Sequence, residues 1–293
     1  IIKNNKIDII QIEYNIMHHY LPKNDNIKSV LMLHDVSTKL YERSYQQNKK
    51  IFIKMFRYID YLKWKTIEPN ILNKFDKVIT LTKEDKYYIE KSVKYPISII
   101  PPQIQFEECR IISPKKMNII FIGSYNREPN IKALEILLFK IFPKIQFEHS
   151  NLTLTIIGKY LPLYLQKNID KNDNIIHKGF VKDVNSEISN ALLMIAPIFI
   201  GAGLKMKIPH VLSCGVPVIT TSIGAEGIEV DGDSGLWVEN DINKMILLSI
   251  KLLNDKKNLI EKGVRGKERV NKLFSSKVIK EKLISVYDKL LNR

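Results

Sequence analysis

Cysteine is nearly absent from this chain, with two residues in 293, Cys109 and Cys214, far apart in the sequence. That excludes a disulfide-stapled scaffold, and unpaired thiols in a reducing compartment are expected. Arginine is scarce too. Arg43, Arg57, Arg110, Arg127, Arg265, Arg269 and Arg293 are all that arginine contributes to 46 basic residues, whereas bidentate reading of phosphates and bases favours arginine. The net charge of +15 would attract nucleic acid, an anionic membrane surface or phosphorylated small molecules. A solvated, lysine-rich surface accounts for it better than a nucleic-acid function. Long hydrophobic runs are lacking as well: "ALLMIAPIFIGAGL" (191–204) is broken by Pro197 and two glycines and is too short to span a bilayer. The opening "IIKNNKIDIIQ" has no initiator Met and no signal-peptide pattern, so the chain is expected to be part of a longer protein. Its six histidines show no metal-ligand spacing, and no metal is expected.

What is present is a regular alternation. Short runs rich in Ile, Val and Leu alternate with helix-length segments, the pattern of parallel α/β architecture. Expected strands are 7–13, 29–35, 77–82 and 97–102, then 117–123, 152–158, 174–179, 192–197, 217–221 and 235–239. Helices are expected over 41–72 and 131–145. The fold class is therefore α/β with two Rossmann-like domains, the first incomplete. The break falls in "PPQIQFEECRIISPKK" (101–116), where prolines and polar residues replace the apolar pattern. We divide the chain into 1–105, a partial N-terminal Rossmann-like domain; 106–274, a C-terminal Rossmann-like domain; and 275–293, a helix free to pack back on the first domain.

One stretch carries chemistry on its face. "GAGLKMKIPH" (201–210) follows the strand "LLMIAP" and leads into a helix closed by Gly215. Pro209 is tolerated only in a first turn, which sets the helix start near Lys205 or Met206. Free N–H groups of that turn would attract an anion, glycines would let it approach, and Lys205 and Lys207 would add charge. Glycines between a strand and a helix also serve purely steric turns. Other polar strand ends in the same half, at 121–130, 177–184 and 221–229, favour the phosphate reading, because ligands of open α/β sheets sit beyond the strands' carboxyl ends.

These strand ends, in this order and spacing, carry a resemblance. The run from "FIGSYNREPNIKALEILLFKIFPKI" through "LTLTIIGKY" and "NIIHKGFVKDVNSEISNALLMIAPIFIGAGLKMKIPHVLSCGVPVITTSIGAEGIEVDGDSGLWV" resembles the donor domain of GT-B glycosyltransferases of family 4 (group 1). It extends upstream to "LMLHDV" and "NKFDKVITLTKEDKYYI" and downstream to the last helix. The resemblance implies transfer of a sugar from a nucleotide-sugar donor, UDP- or GDP-linked, to a saccharide or lipid-linked acceptor bound between the domains. It further implies retention of configuration, no metal and no cofactor. Fixed positive charge and N–H dipoles would act where charge gathers on the leaving diphosphate.

Carried over by position, Gly201, Ala202, Gly203 and Leu204 would face the donor sugar and diphosphate. Lys205 or Lys207 would neutralise the leaving diphosphate, with Arg127 a weaker candidate, and Gly123 and Ser124 would line the phosphate side. Phe180 and Val181 would flank the base, Gly224, Ala225 and Glu226 would close the far wall, and His34, at a strand end of the first domain, would meet the sugar or acceptor. Two positions depart from the family's pattern. Where a pair of glutamates eight residues apart is common, Ala202 and His210 stand here. Imidazole offers a ribose hydroxyl one hydrogen bond where a carboxylate offers paired acceptors. A catalytically inactive sugar-nucleotide-binding module and another GT-B enzyme, such as a sugar-nucleotide epimerase, are the rival readings.

The basic stretch 39–65 interleaves Lys39, Arg43, Lys49, Lys50, Lys54, Arg57, Lys63 and Lys65 with Ile51, Phe52, Ile53, Phe56, Tyr58 and Trp64. It suits a helix lying on an anionic membrane, and slightly better a core-facing helix with a solvated lysine face. Glu68, Glu84 and Asp85 are expected to be solvated. A cytoplasmic location, with the inner membrane surface as its boundary, follows from these readings.

Overall fold

Strands rich in Ile, Val and Leu can be covered on both faces, and here every strand pairing is parallel. The computed structural model describes residues 7–22, 27–48, 50–104, 116–229 and 231–292. Lys49, Cys109 and the expected boundary after residue 105 lie outside them. The chain forms two compact units: Ile1–Gln103 with Ile200–Leu204 and Ser276–Arg293, and Ile104–Phe199 with Lys205–Ser275.

The first unit contains β1 (Ile9–Glu13), β2 (Lys28–Leu33), α1 (Ser37–Gln47), α2 (Ile51–Leu72), β3 (Lys77–Thr80), α3 (Lys83–Ile89) and β4 (Ser98–Ile99), with sheet order β1-β2-β3-β4. The second holds β5 (Asn118–Ile122), α4 (Glu128–Ile136), α5 (Phe142–Glu148), β6 (Thr153–Ile157), α6 (Leu163–Ile169), β7 (Ile175–His177), α7 (Val184–Ser189), β8 (Leu193–Ala196), α8 (Lys207–Ser213), β9 (Val218–Thr220), β10 (Leu236–Val238), α9 (Ile242–Asn254) and α10 (Lys256–Phe274). Its strands run in the order β10-β9-β8-β5-β6-β7. From β5 the chain winds outward to β6 and β7, then returns to β8 and winds the other way, so the switch point lies between β5 and β8. The last helix, α11 (Ser276–Leu290), lays Ile279, Leu283, Val286, Tyr287 and Leu290 on Val30, Ile79 and Ile100 of the first unit's sheet.

The helix expected over 41–72 is two helices. Asn48 and Lys50 take extended backbone angles, and α2 folds back along α1 on a ladder of rings: Tyr41 with Trp64, and Tyr45 with Tyr58 and Tyr61. Packing those rings against one another offsets the modest cost of breaking a polar stretch of helix. The helix expected over 131–145 begins at Glu128 and is interrupted by a π-helical turn, Leu137–Ile141. Pro143 in the next turn has no N–H to donate to residue 139 and displaces the helical register there.

Of the charged side chains expected at the surface, three are buried and Arg43 is half-buried. Glu68 is buried and accepts from Asn15 Nδ2 (2.8 Å), Ser37 N (2.8 Å) and Thr38 N (3.0 Å). It thereby caps α1 from another element, and burial holds its carboxyl above the ordinary value despite those donors. Asp85 is buried against Lys39 at 2.8 Å, and Arg43 donates to the Gly201 carbonyl at 2.8 Å. Lys39 and Arg43 therefore belong to the interior framework of the first unit and not to a basic surface. Cys214, at the end of α8, is disulfide-bonded, against the expectation of unpaired thiols; distance along the sequence sets no limit on pairing in a folded chain.

The Glu68 cap gives a direct test. Glu68→Gln keeps the shape but weakens three donated bonds and adds amide hydrogens where the site supplies only donors. A loss of about 1–3 kcal/mol is expected in urea unfolding, and an unchanged midpoint would show that the cap contributes nothing.

Candidate functional site

The switch point gathers the polar strand ends of the second unit. Beyond β5 the chain turns at Gly123 and Ser124 into α4, with Arg127 at its N-cap. Asn130, in the first turns of α4, donates to the Ser124 carbonyl at 2.8 Å. Its side chain stands 3.1 Å from the position a Cβ on residue 123 would take, so Gly123 leaves room for Asn130. The other face of Asn130 receives the Lys207 amine at 2.5 Å, and that amine also lies 5.1 Å from the centre of the Phe121 ring. Lys207, at the start of α8, thus meets neutral groups in a part-buried site. Burial first, and the positive charge of Arg127 second, lower its amine to about 7. At neutral pH such an amine is poised to gain a proton when an anion arrives.

Lys205 is handled differently. Its amine pairs with buried Glu226 at 3.1 Å, so its charge is already countered. The turn that presents Glu226 is fixed from within: Thr220 Oγ1 donates to Ala196 O at 2.7 Å, Thr221 Oγ1 donates to Ile198 O, and Gly224 N donates to Thr221 Oγ1 at 3.1 Å. A Cβ at residue 224 would stand 1.9 Å from Thr220 Oγ1, which requires glycine there. Ala225 N closes the same turn on Thr221 O at 3.0 Å.

The remaining donor-side candidates separate. His210, on α8, sets Nε2 2.7 Å from Asn185 Oδ1 of α7, and its N–H donates there. Phe180 is 68% exposed with the Lys159 amine 4.3 Å from its ring centre: a flat face, open to stacking, beside a cation. Val181, next to it, is half-buried. Gly158 ties the ends of β6 and β7 together, donating to Gly179 O at 2.8 Å and accepting from His177 Nε2 at 3.0 Å.

In the first unit, His34 follows β2 and sets Nε2 2.6 Å from Glu13 Oε2, at the end of β1. Its ring stacks on Tyr14 with centroids 4.1 Å apart. Gly201, Ala202 and Gly203 are buried and Leu204 half-buried. A Cβ at residue 203 would lie 2.1 Å from Asp35 Oδ1 and 2.4 Å from His34 O, at a φ of +67°. The loop therefore approaches the β2 end more closely than any side chain would permit.

Sequence reasoning passed over Glu13, Asn130, Asn185 and Gly158. Glu13 and Gly158 sit at carboxyl ends of strands, as His34 and Gly123 do, so the strand-end rule applies to them too. Asn130 and Asn185 carry no comparable signal, since amides on short helices are common. Among the described residues, no three metal-ligating side chains come together.

The comparisons with known proteins bear on the same region. Residues 116–255 match the model of the family described as glycosyl transferases group 1. An uncharacterised protein of the cps region of Klebsiella pneumoniae is 24% identical over 265 residues, spanning 87% of this chain and 67% of its own. The capsular polysaccharide biosynthesis glycosyltransferase CapM of Staphylococcus aureus is 31% identical over 181 residues, 58% of this chain and 46% of its own. The crystal structure of TarM superposes with a TM-score of 0.77 at 16% identity, covering 96% of this chain and 54% of TarM; a TarM variant from S. aureus has been crystallised with fondaparinux, alpha-GlcNAc-glycerol and UDP. The chain thus spans about half the length of CapM and TarM. Residues 116–255 thus carry the pattern of the glycosyl transferases group 1 family, and the chain shares the parallel α/β fold of TarM.

Proposed function

We propose that this chain transfers a sugar from a UDP- or GDP-linked donor to a saccharide or lipid-linked acceptor, with retention of configuration and without a metal, in the cytoplasm. The observation that supports this reading is the Lys207 amine at the β5/β8 switch point, with Arg127, Asn130 and the Gly123–Ser124 turn around it. A diphosphate beside it meets fixed positive charge from Arg127 and a proton-accepting amine, and charge accumulating on the leaving group is stabilised there. Phe180 offers a face to the base. The backbone of 201–204 faces the sugar and phosphates, with Lys205 and Glu226 fixing the α8 end of that loop. His210, its Nε2 engaged with Asn185, contributes less to the ribose than a carboxylate would.

His34, held by Glu13 at 2.6 Å, is the first unit's own candidate for contact with sugar or acceptor. A basic contact with the membrane surface brings lipid-linked acceptors within reach. TarM, whose complex holds UDP, supports a uridine donor over the alternatives.

Isothermal titration with UDP-, GDP- and ADP-sugars tests the proposal. Binding of one UDP- or GDP-sugar with micromolar affinity is expected, followed by transfer that survives EDTA and yields the donor's own anomeric configuration by NMR. Failure of every nucleotide sugar to bind would overturn it.

A further inference from the structure

The ring ladder of the α1–α2 hairpin fixes which residues oppose which. Tyr41 faces Trp64, and Tyr45 faces Tyr58 and Tyr61. Continued to the end of α1 at Gln47, that antiparallel register reaches α2 near residue 57. Residues 51–56 therefore project past the last turn of α1, and all six are exposed. Five of them are apolar: Ile51 (73% exposed), Phe52 (73%), Ile53, Met55 and Phe56 (63%). Six consecutive exposed positions around a helix end make an apolar cap and not a stripe facing a core.

The cap carries a collar of one sign. From Arg43 to Ile59 the sequence has no Asp or Glu. Lys50 precedes the cap, Lys54 lies within it, and Arg57 follows it, reaching Asp60 at 4.0 Å. A protein surface closing over this tip would have to desolvate those cations as well as cover the apolar groups. A bilayer interface takes both at once: side chains enter the acyl boundary, while ammonium and guanidinium groups stay among the headgroups. Among the described residues no helix is long and apolar enough to cross a membrane, so the attachment is to the surface.

We propose that the hairpin tip, residues 50–57, is a membrane-docking wedge that inserts Ile51, Phe52, Met55 and Phe56 into an anionic bilayer while Lys50, Lys54 and Arg57 bind its headgroups. The docking element is thus this tip, set end-on, and not the whole 39–65 stretch lying flat, two of whose cations, Lys39 and Arg43, are held inside the unit. The inference deepens the membrane contact of the proposed function but stands apart from the sugar-transfer chemistry, since it is tested without a donor.

The test is co-sedimentation of the complete chain with vesicles of phosphatidylcholine alone and of phosphatidylcholine with 30 mol% phosphatidylglycerol, the last figure being a roughly physiological anionic content. Partitioning should be about tenfold or more stronger on the anionic vesicles and should weaken as salt is raised. Phe52→Ser with Phe56→Ser, and separately Lys50→Glu with Lys54→Glu, should each lower it by about tenfold or more without changing the melting temperature. Equal binding to both vesicle types, or indifference to either pair of substitutions, would overturn the proposal. So would a dimer in lipid-free solution that Phe52→Ser with Phe56→Ser dissolves, which would assign the cap to a second copy of the chain.

Discussion

Replacing Lys207 by Met is expected to make the protein more stable and at the same time about 10²–10³-fold slower in sugar transfer, the loss typical of one transition-state donor. The two effects have one cause. The ammonium is held in a part-buried site beside Phe121, Asn130 and Arg127, and burial with a like charge nearby lowers its pKa from 10.5 to about 7. An amine whose folded pKa lies below its unfolded value costs stability wherever the unfolded chain holds the proton more firmly. That cost is fully present below pH 7, shrinks as pH rises, and is gone above pH 10.5. The thermal advantage of Lys207→Met should therefore be greatest at or below neutral pH and fade toward pH 10. Each unit of separation corresponds to roughly 1.4 kcal/mol, against which the lost bond to Asn130 must be set. A net gain of a few degrees in melting temperature is the expected result.

Donor binding should follow the same group with the opposite sign. A diphosphate raises the amine's pKa, so binding takes up a proton at pH 7–8, and affinity declines by up to about tenfold per pH unit above pH 7. Titration in buffers of different ionisation enthalpy reads that proton directly, and Lys207→Met should abolish the buffer dependence. If donor affinity were flat from pH 6.5 to 8.5 and the Met variant turned over normally, Lys207 would be a structural lysine. A group that costs stability at the switch point is what the proposed anion site would entail.

How much of this was legible beforehand differs by level. The ten strands could be read because each is a short Ile/Val/Leu run ended by Gly, Pro or a polar residue, and parallel strands covered on both faces leave that trace. The strand ends could be read for the same reason; Lys207 entered from the glycine loop and helix start after β8, and Gly123 and His34 from the family resemblance at such ends. The hairpin split at Asn48 could not, because it is decided by Tyr41 meeting Trp64 and Tyr45 meeting Tyr58, residues that only the fold brings together. Glu68 and Asp85 were misread for a related reason. A carboxylate on a helical stretch is usually solvated, and only the donors of Asn15, Ser37 and Thr38, or the Lys39 amine, make its burial tolerable. Periodicity reports which face a residue lies on, but a buried ion pair is specified by its partner.

Gly158→Ala is expected to be among the most damaging single-methyl changes in the second unit, with a loss of about 4 kcal/mol or more. Gly158 has a φ of +140°, a region open essentially to glycine alone, and a Cβ built there lies 1.6 Å from the Gly123 carbonyl oxygen and 3.0 Å from the Tyr125 ring. The obstructing atom is backbone, at the end of β5, so no rotamer change relieves the overlap. The ends of β5 and β6 must separate, and with them the bonds Gly123 N to Ile157 O at 3.0 Å and Gly158 N to Gly179 O at 2.8 Å. Gly179→Ala is the internal control. It too has a positive φ, +59°, but nothing stands within 4 Å of its Cβ, so only the left-handed backbone cost of about 1–2 kcal/mol applies. Calorimetry should show the Gly158 variant losing far more than the Gly179 variant, and nucleotide-sugar binding should fail in the first and persist in the second. Gly123 and Asn130 move with the β5 end, which withdraws Asn130 from the Lys207 amine and dismantles the proposed anion site without touching either residue. Equal losses in the two variants would mean that the close approach of β5 and β6 is not what shapes the site.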